Sequence, residues 1–299
     1  METKNAILLL LGLCFSCNND DSADPIVEEL NEPEHIKTLD FSSSIDYEAV
    51  IEDFDVKNGY LYFDYKLRIY KLNLNSESPL AEQILEDTEA PLALAIIGDR
   101  LFYQTFWGTS SNVKQVDLNN ISNETEVIEI IGSSRFQLTR KNDRLVYLSS
   151  PNAISPVNNF YELNPLSSDV LIATDEFVHP KNLKFVDNYL YFSSKNEIRR
   201  LDLNNTSAGS SVIYAAPSNG NNTYNDGHIF GFDIEGNIIY YSQISSNNVF
   251  SVDLNNPDEE PKVLLTNPDA TTGYGELIID DGKLYVKKYN EKKLEVFKL

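Results

Sequence analysis

The sequence predicts an all-β chain: a six-bladed β-propeller of four-stranded antiparallel blades, with an N-terminal strand closing the last blade. Three observations predict it. A unit of polar turn and aromatic strand recurs six times between Asn58 and Leu299, and in five of the six it is followed by a strand ending in Asp or Asn. The apolar anchor of each unit, read at Leu61, Leu101, Leu145, Leu190, Ile238 and Leu284, returns at spacings of 40, 44, 45, 48 and 46 residues. A period of about 40–50 residues with several strands per unit is the mark of propeller blades. Finally, the last unit supplies three strands where a full unit supplies four, and a lone strand precedes the first unit.

Each unit opens with a two-residue turn: Asn58-Gly59, Gly98-Asp99, Asn142-Asp143, Asp187-Asn188, Gly236-Asn237 and Asp281-Gly282. These residues tolerate the positive φ that tight hairpins demand. The strands that follow read YLYF, RLFYQT, RLVYLSS, YLYFSS, IIYYSQ and KLYV, suited to half-buried pleated surfaces. A polar loop then leads to a second strand with a stereotyped end, as in Val116-Asp117-Leu118-Asn119, Leu201-Asp202-Leu203-Asn204 and Val252-Asp253-Leu254-Asn255. Asp117, Asp202 and Asp253 are expected to bond turn backbone rather than form a carboxylate ring.

Blades are expected to begin near Tyr47, Pro91, Phe136, Asn182, Ile229 and Glu276. The fourth unit shows the full count, over 182–187, 189–194, 197–203 and 211–215. The stretch 80–89, which alone has a helical composition, reads as an outer strand and turn. The last unit offers 276–279, 283–286 and 294–299. A bare sheet edge invites aggregation, so residues 36–41 are expected to complete that blade. The strands do not alternate cleanly, as expected for sheets packed on both faces.

Residues 1–16, METKNAILLLLGLCFS, read as a signal peptide. Residues 17–34 form a flexible acidic tether, and the propeller spans 35–299. Cys14 and Cys17 are the two cysteines, so no disulfide staples the domain. No apolar run reaches the roughly 18 residues of a membrane span. The net charge of −22 excludes nucleic acid and electrostatic docking on anionic lipid, both of which need clustered Lys and Arg. The acids are scattered, as in a solvated surface.

Phe15-Ser16-Cys17, followed by Asn18-Asn19-Asp20-Asp21, resembles the lipobox of bacterial lipoproteins, especially those of Bacteroidetes, with Cys14 and Phe15 where Leu and a small residue are usual. The resemblance implies a diacylated Cys17 and a place in the bacterial cell envelope. The chain would be lipid-anchored at the outer membrane, on its periplasmic or surface face, touching the membrane through the anchor only. Asp20-Asp21 resembles that phylum's surface-export signal, and Asp21-Ser22-Ala23 its O-glycosylation motif, with Ser22 as acceptor. The repeats are similar to YWTD units of six-bladed propellers, through Tyr103-Gln104-Thr105, Tyr147-Leu148-Ser149, Tyr191-Phe192-Ser193 and Tyr240-Tyr241-Ser242. TolB-like and SMP-30/lactonase propellers are similar in architecture. The Gly-His and Trp-Asp signatures of WD40 repeats are missing.

No HExxH, GxSxG, P-loop or EF-hand pattern occurs. Asp226-Gly227 and Asp280-Asp281-Gly282 match fragments of calcium loops but lack the alternating oxygen ligands, so they read as turns. A site is therefore expected where topology builds one, at the mouth of the central channel. The loops entering the inner strands frame that face: 42–47, 86–91, 132–136, 175–181, 215–228 and 266–274. The longest is 215–228, and long loops in compact domains often carry function. Tyr47, Trp107, Phe136, His179, Tyr224, His228 and Tyr274 fall in or beside these loops. Such a rim suits stacking on a sugar or gripping an extended peptide. The expected function is a non-catalytic envelope lipoprotein binding a glycan, peptide or envelope protein, with no cofactor. The alternative is a propeller enzyme of lactonase or lyase type. It would hold a divalent cation with channel carboxylates drawn from Glu48, Glu89, Asp175, Asp233 and Glu276. A structural scaffold is the third reading.

Overall fold

Tight turns set the pitch of this chain. Asn58 and Gly59 turn with φ of 52° and 75°, and Asp281 and Gly282 with 51° and 65°. Gly98, Asp187 and Gly236 do the same work at 58°, 54° and 59°. A second set appears between the second and third strands, where Lys66 and Lys195 adopt φ of 58° and 56°. A computed structural model describes residues 32–41, 51, 53–77, 79–107, 110–121, 126–130, 133–141, 143–150, 156–163, 169–176, 180–217, 227–244, 246–269, 273–288 and 291–299.

The strands fall into six antiparallel sheets of four, numbered here in chain order. Strand β1 (Glu34–Asp40) stands alone before blade 1, which holds β2 (Phe54–Lys57), β3 (Tyr60–Tyr65), β4 (Arg68–Asn73) and β5 (Glu82–Glu86). Blade 2 holds β6 (Ala90–Ile97), β7 (Arg100–Trp107), β8 (Ser110–Asp117) and β9 (Glu126–Glu129). Blade 3 holds β10 (Ser133–Lys141), β11 (Arg144–Ser150), β12 (Val157–Glu162) and β13 (Val170–Glu176). Blade 4 holds β14 (Pro180–Val186), β15 (Tyr189–Ser194), β16 (Glu197–Asp202) and β17 (Ser211–Ala215). Blade 5 holds β18 (Ile229–Glu235), β19 (Ile238–Gln243), β20 (Asn248–Asp253) and β21 (Lys262–Thr266). Blade 6 holds β22 (Tyr274–Asp280), β23 (Lys283–Lys288) and β24 (Lys293–Lys298). Its outer strand is β1, antiparallel to β24 from Glu34↔Lys298 to Asp40↔Lys293. The predicted closure is thus present. The inner strands contact one another in sequence, and β2 meets β22, so the blades form a closed ring.

The core is six apolar clusters, one between each pair of neighbouring blades. Leu39 of β1 packs with Phe54, Phe63 and Val296 where blade 6 meets blade 1. Sheets sandwiched this way need apolar residues on both faces, which removes clean alternation from the sequence.

One expectation is corrected and one lies beyond the described residues. The expected start of blade 1 near Tyr47 lies outside the described residues; the described inner strand runs from Phe54. The Asp64 carboxylate takes the Asp53 N–H at 2.7 Å, ending the regular ladder there. In blade 5 the buried anchor is Ile239, fully buried, and not Ile238. The last two spacings are therefore 49 and 45 residues. One residue of slip exchanges the two faces of a strand.

The stereotyped strand ends act as expected. Asp117, Asp202 and Asp253 each accept the N–H two residues on, from Asn119, Asn204 and Asn255, at 2.8 Å. Asn73 does the same for Asn75 at 2.9 Å.

Candidate functional site at the channel mouth

Inner strands line the centre of a propeller, so any polar side chain on them faces the channel or a neighbouring blade. Here the channel encloses a cavity of about 250 Å³, lined from all six blades. Its deep half is braced by charge. Asp55 of blade 1 accepts the Ile96 N–H of blade 2 at 2.9 Å. Asp233 of blade 5 accepts the Ile279 N–H of blade 6 at 2.8 Å. Arg140 lies 3.3 Å from Asp55 and also donates to the Ile96 carbonyl at 3.1 Å. Lys184 lies 2.9 Å from Asp233. Burial pushes the Asp55 carboxyl up, against the pull of Arg140 and Lys184. These groups tie blades together and neutralise one another.

The entry half is built differently. The inner strand of each blade after the first breaks register near its start. Leu92, Asn182 and Phe230 are single bulged residues, 135–137 bulge against one partner, and Gly275-Glu276 against Lys287. Bulges re-aim side chains and end pairing. Asp53, Leu92, Gln137, Asn182 and Glu276 line the cavity at this level. Asn182, at φ 50°, donates to the Phe230 carbonyl at 2.8 Å. The Phe230 ring carries Lys181 Nζ at 4.4 Å and Lys287 Nζ at 5.8 Å from its centroid. Lys287 is 2% exposed, with Nζ 4.0 Å from Glu276. Asp53 accepts the Leu94 and Phe54 amides at 2.7 and 2.8 Å. Burial, then the charges of Glu276 and Asp64, holds its carboxyl well above the ordinary carboxylate range.

A third polar group lies beside the mouth, under the loop entering β6. Lys114 sits 2.9 Å from Asp87 and 3.1 Å from Glu89, while Tyr103 and Thr105 donate to the same two carboxylates at 2.7 Å. Burial alone would raise Asp87. The hydrogen bonds from Lys114, Tyr103 and the Glu89 amide, with the Lys114 charge, outweigh it and hold the carboxyl below its usual value. Lys114 is correspondingly raised by Asp87 and Glu89 despite its burial.

Of the residues the sequence nominates, Tyr47, His179 and Tyr224 lie outside the described residues, as do Cys17, Ser22 and Glu48. Trp107 ends β7 and Phe136 falls in the β10 bulge. His228 is half-buried just before β18, and its carbonyl accepts the Ile244 N–H at 2.8 Å. Tyr274 lies beneath the rim: it is 3% exposed, and its hydroxyl donates to Glu295 at 3.0 Å. Burial and Glu295 raise its phenol. Among the nominated carboxylates, Asp233 and Glu276 line the channel, Glu89 belongs to the Lys114 group, and Asp175 accepts the Ser210 N–H at 3.1 Å on the outer side of the blade. The sequence reading missed Asp53, Asp55, Arg140, Lys184 and Phe230. One signal was present: Phe54-Asp55 and Phe232-Asp233 both place an acid inside an apolar strand three residues before the two-residue turn, Asn58-Gly59 and Gly236-Asn237.

Solved structures share this architecture. A chain of a nidogen/laminin complex is 13% identical at a TM-score of 0.54, over 71% of this chain and 78% of that one. The tricorn protease is 13% identical at 0.58, over 81% of this chain and 24% of that one. A chain of the mitotic checkpoint complex is 11% identical at 0.58, over 98% and 99%. At such identities the likeness is one of fold. No protein-family model and no curated protein matches the sequence.

Proposed function

We propose that this chain is a non-catalytic lipoprotein of the bacterial cell envelope, of Bacteroidetes type with YWTD-like repeats. It is held by a diacylated Cys17 and binds a glycan, peptide or protein partner at the channel mouth. The observation that carries the reading is the coincidence of bulges at one depth of the ring. They turn Leu92, Gln137, Asn182 and Glu276 toward one cavity, with Asp53 beside them. Below that level, Asp55 and Asp233 are engaged by backbone amides and cations. The channel therefore has a rigid, charge-balanced floor and a polar mouth, the form of a preorganised binding site.

The test is thermal unfolding of a Cys17→Ser chain against panels of oligosaccharides and peptides. A ligand at about 100 times its Kd adds roughly 2.7 kcal/mol of stability. A shift from one class, lost in Gln137→Ala or Phe230→Ala, supports the reading; no shift from any member of the panel overturns ligand binding at the mouth. Palmitate labelling that disappears on Cys17→Ser tests the anchor. The enzymatic reading has less in its favour: Glu276 and Asp64 lie near enough to raise the Asp53 carboxyl, but no three such groups among the described residues are placed to hold a metal ion. A melting shift with Ca²⁺, Mg²⁺ or Zn²⁺ that EDTA abolishes and Glu276→Gln removes would put it first.

A further inference from the structure

The opposite face of the ring, built by the turns that open each unit, carries a second concavity. It is a groove of about 780 Å³ between blades 2 and 3. Its existence follows from a break in the repeat. The first residue of the second strand pairs with the last residue of the inner strand in every blade: Tyr60, Arg100, Arg144, Tyr189, Ile238 and Lys283. Tyr60, Tyr189 and Ile238 pack into the apolar clusters shared with the next blade and cover those seams. The seam between blades 3 and 4 is covered by Lys141 over the Phe185 ring, 5.7 Å from its centroid. At the seam between blades 6 and 1, Lys37 reaches the Leu74 carbonyl. Between blades 2 and 3 the position is Arg100, which is exposed and turns aside to donate to Gln115 at 3.3 Å. Phe102, Leu145 and Leu163 form the floor of the groove, reached only at their edges: they are 8%, 3% and 7% exposed.

The rim over this apolar floor is acidic. Asp99, Asp117, Asp143 and Glu162 face it, against Arg100 and Arg144. Arg144 is paired with Glu162, and Asp117 caps its own turn. The carboxylates of Asp99 and Asp143 make no hydrogen bond or ion pair among the described residues. A cavity of roughly 300–1,000 Å³ with an apolar floor is the size that takes a ligand or a short segment of chain.

We propose that this groove is a docking site for a basic, apolar peptide segment of another protein: an aliphatic or aromatic side chain seated on Phe102, Leu145 and Leu163, flanked by Lys or Arg reaching Asp99 and Asp143. Charge selects the occupant. The rim and the whole chain, at −22, repel acidic segments and steer basic ones. The site shares no lining residue with the channel mouth and stands or falls independently of it.

The test is fluorescence anisotropy of the full Cys17→Ser chain with a labelled Lys-Leu-Phe-Lys peptide at an ionic strength of about 0.15 M. Matched Glu-Leu-Phe-Glu and Lys-Ser-Ser-Lys peptides serve as controls. Saturable binding of the first alone is expected. Arg100→Tyr, which installs the tyrosine of blades 1 and 4, should fill the groove and weaken binding at least tenfold or so. Asp143→Lys, an exposed change that leaves the core intact, should weaken it similarly with no change in melting temperature. Equal binding of Lys-Ser-Ser-Lys would reduce the effect to net charge and overturn the proposal. So would binding of the acidic peptide, absence of saturation with all three, or unchanged affinity in both variants.

Discussion

The carboxylate of Asp233 in blade 5 accepts the backbone N–H of Ile279 in blade 6 at 2.8 Å, and Asp55 repeats the contact with Ile96 between blades 1 and 2. Adjacent inner strands in a propeller share no ladder, so such contacts are the polar links across the seams. Asp233→Ala strands the Ile279 amide and the Lys184 ammonium together. It is expected to cost about 2–4 kcal/mol. Asp202→Ala, which loses a turn contact at an exposed strand end, should cost about 1 kcal/mol or less. Urea unfolding of the two variants beside the parent checks the difference.

The Lys114 group gives a pH dependence with a definite sign. Asp87 is held below 3.8, so its contribution is present above that value and lost as pH falls through the lowered value. Lys114 is held above 10.5, so its contribution is present below that value and lost as pH rises through the raised one. Lys114→Met leaves two carboxylates around an uncharged chain and is expected to cost about 3–5 kcal/mol near neutrality. The deficit should shrink as pH falls through the lowered Asp87 value, where the parent loses the same pairing. Melting curves of parent and variant from acid to neutral pH measure it.

Gly231 and Gly236 separate two reasons for a glycine. A Cβ on Gly231 would lie 2.6 Å from the Glu276 Cα and 2.9 Å from the Gly275 carbonyl oxygen, both backbone atoms that cannot swing away. Gly231→Ala should therefore force blades 5 and 6 apart, costing about 1–3 kcal/mol or more and weakening any ligand held at the mouth. A Cβ on Gly236 meets nothing within 4 Å, but its φ of 59° is left-handed. Gly236→Ala should cost only about 1 kcal/mol and leave the mouth untouched. Melting temperature and ligand affinity, read on both, distinguish packing from turn conformation.

Leu39 is 2% exposed on the closing strand, inside the cluster joining blades 6 and 1. Leu39→Ala is expected to cost about 2–5 kcal/mol. Removing residues 32–41 should do more, because it bares β24 as an edge. The shortened chain is expected to self-associate, which light scattering coupled to size exclusion would detect.

The architecture was legible because turns, aromatic strands and Asp-ended strands are local patterns repeated with the blade. Even β1 could be assigned, by counting strands. The slip at Ile238 arose because Ile238, Ile239 and Tyr240 offer no change of polarity to mark which residue faces inward. The mouth was harder to read. Its geometry depends on bulges at Leu92, Asn182, Phe230 and Gly275-Glu276, which obey no common residue type. The polar links of the channel join residues 41 to 85 positions apart, as Asp53 with Leu94, Lys184 with Asp233 and Asp55 with Arg140. Aromatic residues near loops drew attention instead, and Tyr274 proved to be core because its strand buries it against Leu277 and Val286.

Closure by β1 also makes blade 6 a mechanical latch. The pair Glu34↔Lys298 sets the start of the first strand beside the end of the last. Tension arriving through the chain that precedes Glu34 falls on the β1–β24 ladder before any other part of the ring. Drawn along the strand, it loads those hydrogen bonds together, in shear; drawn across it, it peels them singly from the Glu34 end. Once β1 leaves, β24 is free to recruit another strand, so the same ladder that completes the ring would also decide when it opens under load.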